Sequence, residues 1–182
     1  MQGVWNMSIF RRIGEIVRSN RPEPPRTSIN PYEETKVGDI VAVGLNEYVV
    51  SGKVVYFDRG YPPHRYAYYL QDGAEISCLI VEKGRVYECF HCTFLEGGLD
   101  TPDDVPTHLE INGSTGYDLE HQRYDLTRTE GNTDFRSGDE VIVWKYFGDG
   151  DNSFYLQWQD GKFVALQGER ASNADIKFMK SG

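Results

Sequence analysis

Beyond Lys36 the apolar and polar positions fall into short runs of strand periodicity, each closed by a turn signal. "DIVAVG" (39–44), "EYVVSGKVVYF" (47–57), "RYAYYLQ" (65–71), "EISCLIVE" (75–82) and "RVYECF" (85–90) are predicted strands, divided by Asn46, "RGYPP" (59–63), Asp72-Gly73 and Gly84. An acidic stretch with glycine and proline, "CTFLEGGLDTPDDVP" (92–106), breaks the pattern. "THLEI", "GYDLE", "RYDLTRTE", "EVIVWKYF", "SFYLQWQ" and "KFVALQG" then resume it, cut by Asn112-Gly113, Asp149-Gly150 and Asp160-Gly161. About eleven short strands predict an all-β body, arranged as two small barrel- or sandwich-like β-subdomains over 36–95 and 107–180.

The first twenty residues follow another period. Ile9, Phe10, Ile13, Ile16 and Val17 share one side of a 3.6-residue helix, with Arg11, Arg12, Glu15 and Arg18 around the other. Trp5 lies one turn earlier and extends the stripe, Ser8 is a candidate N-cap, and Met7 offers an alternative start. "RPEPP" ends this amphipathic helix near Asn20, because prolines 22, 24 and 25 remove backbone donors and favour extended geometry. Residues 21–35 then read as a proline-rich linker, which at roughly 3.1 Å per residue spans on the order of 40 Å.

Charge sharpens the division. The chain of 182 residues carries −9, yet residues 1–26 hold five arginines against two glutamates, a net of +3 that leaves −12 on the rest. An acidic body argues against a phosphate-reading nucleic-acid protein. No apolar run reaches the ~20 residues of a membrane-spanning helix, and Arg11, Arg12 and Glu15 interrupt any secretory-signal core. Three cysteines are too few and of the wrong parity for a disulfide framework, so a cytoplasmic protein is expected.

A weak internal echo joins the halves. "VGDIVAV" (37–43) returns as "SGDEVIVW" (137–144), and "YYLQDG" (68–73) as "FYLQWQDG" (154–161), a pattern compatible with a diverged repeat. The succession "VGDIV…YVVSGKVVYF…YAYYLQDG…CLIVEKG…YDLEHQRYDL…GDEVIVWKYF…FYLQWQDGKFVALQGE…DIKFM" resembles the bacterial domain-of-unknown-function family numbered 4178 over roughly 36–180. A tryptophan-leucine pair is expected in members where this chain has Cys78-Leu79. The resemblance implies no activity, only an association with bacterial envelope-stress gene sets. "MSIFRRIGEIVRSN" (7–20) is similar to the first helix of phage shock protein A and the plastid vesicle-inducing proteins, which implies insertion into the surface of stressed membranes.

Candidate chemistry is sparse. "CFHC" (89–92) has a zinc-like gap between Cys89 and Cys92, with His91 or Cys78 to complete a set, but no second spaced pair exists. On a strand, moreover, residues 89 and 92 face opposite ways. Asp100, Asp103 and Asp104 lack the order of a calcium loop. His64, His91, His108 and His121 are scattered, with no Ser/His/Asp arrangement and no phosphate-binding glycine loop. Tyr56, Tyr66, Tyr68, Tyr69, Tyr146 and Tyr155 are either core residues or the lining of an acidic groove suited to a cationic ligand or basic partner.

The expectation is therefore a noncatalytic accessory of the bacterial membrane-stress response, without metal or cofactor, on the inner face of the plasma membrane. Trp5, Ile9, Phe10, Ile13, Ile16 and Val17 enter the interface of an anionic membrane while Arg11, Arg12 and Arg18 meet lipid phosphates. The β-body recruits a partner, with a phage shock protein A relative as the leading guess. The alternative is a soluble β-rich scaffold whose helix packs on its own core or on a partner.

Overall fold

Strand alternation sends successive side chains to opposite faces, and several strands here are apolar on both. β3 (Arg65–Asp72) buries its first six residues in succession, and β9 (Asn152–Gln159) buries residues 153–157. Such strands need cover on each side. The computed structural model, which describes residues 29–182, meets that need by closing a sheet around one core and laying further elements on its outside. The helix predicted over 1–20, its residues Trp5, Ile9, Phe10, Arg11, Arg12, Ile13, Ile16, Val17 and Arg18, and the linker as far as residue 28 lie outside the described residues.

The body is all-β, as the pattern predicts. Four antiparallel strands, β2 (Asn46–Phe57), β3, β4 (Glu75–Lys83) and β5 (Tyr87–Leu95), form one meander. A second comprises β7 (Thr115–Gly131), β8 (Glu140–Phe147), β9 and β10 (Lys162–Ala171). β5 pairs with β10 and β2 with β7, so the two meanders close one eight-stranded barrel. The halves expected at 36–95 and 107–180 are thus the two sides of a single barrel within one compact unit. Neither meander can bury its inner face without the other.

The echoes do not follow this arrangement. "VGDIVAV" leads into β1 (Ile40–Val43) whereas "SGDEVIVW" leads into β8, and "YYLQDG" ends β3 whereas "FYLQWQDG" ends β9. Equivalent strands of the two meanders would match β2 to β7 and β3 to β8, so the echoes reflect shared turn chemistry. Asp160-Gly161 illustrates it: both take positive φ (51° and 87°) between the paired Gln159 and Lys162, the geometry of a tight primed hairpin turn.

Three cores result. The interior holds Val54, Tyr56, Tyr69, Ile80, Tyr155 and Leu166 among others. Outside the first meander, β1, β11 (Ile176–Met179) and the short helix α1 (Pro31–Glu34) cover Tyr66, Tyr68, Leu79 and Val81. Outside the second, β6 (His108–Ile111), through Leu109 and Ile111, and Leu99 and Val105 of the preceding loop pack against Trp144, Tyr146 and Leu156. The body begins at Pro31 rather than at 36. Tyr32 stacks on Tyr87 at 4.7 Å, and Glu33 accepts hydrogen bonds from Tyr87 and from Tyr66 (3.0 Å) and pairs with Lys83 (2.7 Å).

The seam that closes the barrel is a glycine contact. Gly52, at a bulge in β2, is the register partner of Gly131 at the end of β7. A Cβ on Gly52 would stand 2.0 Å from the Asn132 carbonyl oxygen, and one on Gly131 would stand 2.4 Å from that of Ser51. Gly52→Ala is expected to cost about 1–3 kcal/mol by overpacking, read as a lower urea midpoint. Gly84→Ala, whose added Cβ has its nearest neighbour at 3.5 Å, should leave the midpoint nearly unchanged.

Candidate functional site

Inward alternation places charge, not only hydrocarbon, in one end of the lumen. Arg65 of β3, Glu82 of β4, Lys145 of β8 and Tyr155 of β9 all point inward near the end where β2 finishes. Glu82 is their hub. It accepts from Arg65 Nη2 (3.1 Å), Lys145 Nζ (2.8 Å) and the Tyr155 hydroxyl (3.0 Å). Arg65 is only 3% exposed and lies 5.6 Å from the ring centroids of both Tyr56 and Tyr155, while Lys145 stands 4.8 Å over Phe90. Lys145 also reaches Glu120 (3.3 Å) and floors an open recess of about 500 Å³ with Glu88, Phe147, Asp151 and Arg170 on its walls.

A second buried carboxylate, Asp125 of β7, continues the network. His64 Nε2 lies 2.8 Å from Asp125 Oδ1, Arg123 Nε donates to the same oxygen (3.4 Å), and Arg65 Nη1 lies 3.6 Å from Oδ2. Burial pushes Glu82 and Asp125 toward higher pKa, but surrounding cations and hydrogen bonds outweigh it and hold both below the usual carboxylate values. Burial and the nearby Arg65 lower His121, whose Nε2, like Arg65 Nη1 and Asp125 Oδ2, is buried without a hydrogen bond.

Asp58, His64 and Asp125 bring ligand atoms within 4.8 Å of one another, a spacing a metal ion could use. The surroundings disfavour a cation there. Arg123 bridges Asp58 (2.8 Å) and Asp125, and Arg65 approaches from the other side, so two guanidinium groups already neutralise the two carboxylates. The cluster is an ion-pair lattice between the 58–64 loop and β7.

The opposite end of the barrel is more apolar. β5 pairs with β4 only as far as Thr93 but stays with β10 to Leu95, leaving a notch beside Ile76. A cleft of about 700 Å³ opens there, lined by Tyr69, Ile76, Phe94, Phe163, Asp134 and Lys162. Tyr69 and Lys162 both donate to Asp134, at 2.9 and 2.6 Å.

The residues singled out from sequence separate in space. Cys89 faces the core outside the first meander and Cys92 the barrel interior, so the "CFHC" pair cannot share one ion. Cys78 is the register partner of Cys92, and burial pushes both thiols well up. Tyr66 and Tyr68 pack outside the first meander, Tyr56, Tyr69 and Tyr155 inside the barrel, and Tyr146 outside the second. Their rings are shared among three cores and do not line a common surface groove. Sequence reasoning passed over Arg65, Glu82 and Lys145, although a charge within an alternating apolar strand, as in "EVIVWKYF", is the signal that marks them.

Removing Glu82 would leave Lys145 and Arg65 only their longer contacts with Glu120 and Asp125, so Glu82→Gln is expected to cost about 3 kcal/mol at neutral pH, the lower end for a broken buried pair. The folded carboxyls of Glu82 and Asp125 hold protons less tightly than the unfolded ones. Their stabilisation is therefore complete above the unfolded carboxylate range, about 4, and lost as pH falls through the depressed folded values. Urea titrations from pH 7 to 3 should show that loss in the parent and a shallower acid slope in Glu82→Gln.

Comparison with curated proteins and with solved structures finds no match. The family described as Domain of unknown function (DUF4178) matches residues 36–173, a span that takes in all eight barrel strands, the seam glycines and the Glu82 and Asp125 networks. The chain belongs to that family.

Proposed function

We propose that this protein is a noncatalytic, membrane-associated accessory of the bacterial envelope-stress response, in which a basic amphipathic segment binds anionic lipid and the barrel recruits a partner. The observation that carries the reading is the division of charge and apolar surface along the chain. Residues 1–26 combine a net +3 with the apolar stripe of Ile9, Phe10, Ile13, Ile16 and Val17, and the remainder carries −12. The barrel's apolar faces are largely satisfied by its own parts: the interior by closure, the first outer face by α1, β1 and β11, and much of the second by β6. Among the described residues no helix is long and apolar enough to cross a membrane; in the N-terminal segment Arg11, Arg12 and Glu15 interrupt the apolar run, so its attachment would be peripheral. The similarity of residues 7–20 to the first helix of phage shock protein A supports a stressed membrane as the target and a relative of that protein as the partner.

The second reading is a soluble β-rich scaffold whose helix packs on its own core or on a partner. The cleft of about 700 Å³ favours a binding role for the body in either case.

Co-sedimentation with vesicles tests the membrane address. The full chain is expected to pellet with anionic vesicles and to stay in solution with neutral ones, because about 1 kcal/mol per basic residue comes from the surface potential. Phe10→Glu/Ile13→Glu should abolish pelleting. Equal behaviour of parent and variant, or equal binding to neutral lipid, would sink the membrane reading and leave the soluble scaffold.

A further inference from the structure

The two outer faces of the barrel are not covered alike. On the second meander, cross-strand register aligns Tyr124 of β7 with Ile142 of β8, Ile142 with Trp158 of β9, and Trp158 with Phe163 of β10. This row of four large apolar side chains runs across four neighbouring strands. The adjacent row, Trp144, Leu156 and Ala165, is buried, whereas Tyr124 is 57% exposed and Ile142, Trp158 and Phe163 are each only partly covered. Carboxylates lie beside Trp158. A recess of about 300 Å³ beside Trp158 is lined by Asp139, Glu140, Gln159 and Asp160, and all three acids are exposed.

We propose that this face is the docking surface of the body, and that its occupant is a basic amphipathic helix of a partner protein. The inference rests on the reading of the barrel as a recruiting element, and is independent of the membrane address. Charge complementarity selects the occupant: a partly buried indole beside three exposed carboxylates, on a body of net −12, favours an aliphatic segment flanked by lysine or arginine. The dimensions agree. From Tyr124 to Trp158 two inter-strand spacings of about 4.8 Å span roughly 10 Å, the rise of about two helical turns. Side chains at i, i+3 or i+4, and i+7 of such a helix would meet Tyr124, Ile142 and Trp158 in turn. Arg136 pairs with Asp160 at 2.5 Å, with both side chains largely exposed, and an incoming cation can take its place.

The test uses the full chain with two fluorescently labelled helical peptides of identical apolar spacing, one of leucine and lysine, the other of leucine and glutamate, followed by anisotropy. The lysine peptide should bind saturably and the glutamate peptide should not. Trp158→Ala and, independently, the more exposed Tyr124→Ala should each weaken binding at least tenfold, as interface aromatics do. Asp139→Asn/Glu140→Gln/Asp160→Asn should weaken it comparably and flatten its dependence on salt. The same loss of charge elsewhere, in Glu47→Gln/Asp72→Asn/Glu75→Gln, should change it less than threefold. Unchanged affinity in both aromatic variants, equal effects of the two charge triples, or binding of the glutamate peptide would overturn the proposal. So would self-association of the chain that depends on Trp158, which would make a second copy the occupant. Vesicle binding and peptide binding fail separately, so loss of one does not count against the other.

Discussion

A closed barrel has to fill its own lumen, and the way this one does so governs the rest of the structure. Eight strands leave an interior just wide enough for side chains. At one end tyrosines and aliphatic groups fill it, and at the other Glu82 draws in Arg65, Lys145 and Tyr155. These groups belong to β3, β4, β8 and β9, so a single carboxylate cross-links both meanders. A slip of one residue in any of these strands would turn its charge out of the lumen and strand its partners. The ion pairs therefore act on register more than on net stability, since apolar side chains of similar volume could fill the same space without the desolvation penalty.

Closure also decides which surfaces remain for function. With the inner faces sealed, what is left to recognise a partner is the outer wall and the two mouths. The chain spends α1, β1 and β11 on one wall, where Asp39 helps to tie β1 to the C-terminal strand through Ser181 (3.1 Å) and Lys180 (3.2 Å). On the other wall Gly98 of the acidic 96–107 segment lies against Phe163, while Tyr124 stays exposed and Ile142 and Trp158 are only partly covered. The asymmetry between covers, not any asymmetry in the barrel, is what makes one wall available.

Much of this was legible in the sequence. Strand runs and turn dipeptides placed nearly every strand, because both signals are local. "GYDLE" and "RYDLTRTE", read as separate runs, are one strand, β7, with a bulge between Leu119 and His121. Whether two meanders close on each other or fold apart depends on the β2–β7 and β5–β10 pairings, between residues about 75 positions apart, and no local pattern carries that. The same holds for the site. Alternation showed that Tyr66 and Tyr68 share a face, yet both faces of β3 are buried, so tyrosine periodicity could not separate a groove from a core. The Glu82 network was hidden because its members lie as far apart as residues 65 and 155.

The folded position of α1 bears on how an acidic body could work beside an anionic surface. Because Tyr32 and Glu33 are fixed to the barrel, the linker expected at 21–35 loses its last five residues to the body, and the remaining ten would span roughly 30 Å if they took polyproline II form. That is still several times the Debye length of about 8 Å at physiological salt, so the body can stand clear of most of the lipid's repulsion. Under the proposed membrane address, its negative charge would then not oppose attachment and could act on proteins. A basic amphipathic helix on a partner would be drawn both to anionic lipid and to the carboxylates beside Trp158. If the proposed membrane address holds, the two attractions would compete for that helix, decided by how much anionic lipid is exposed.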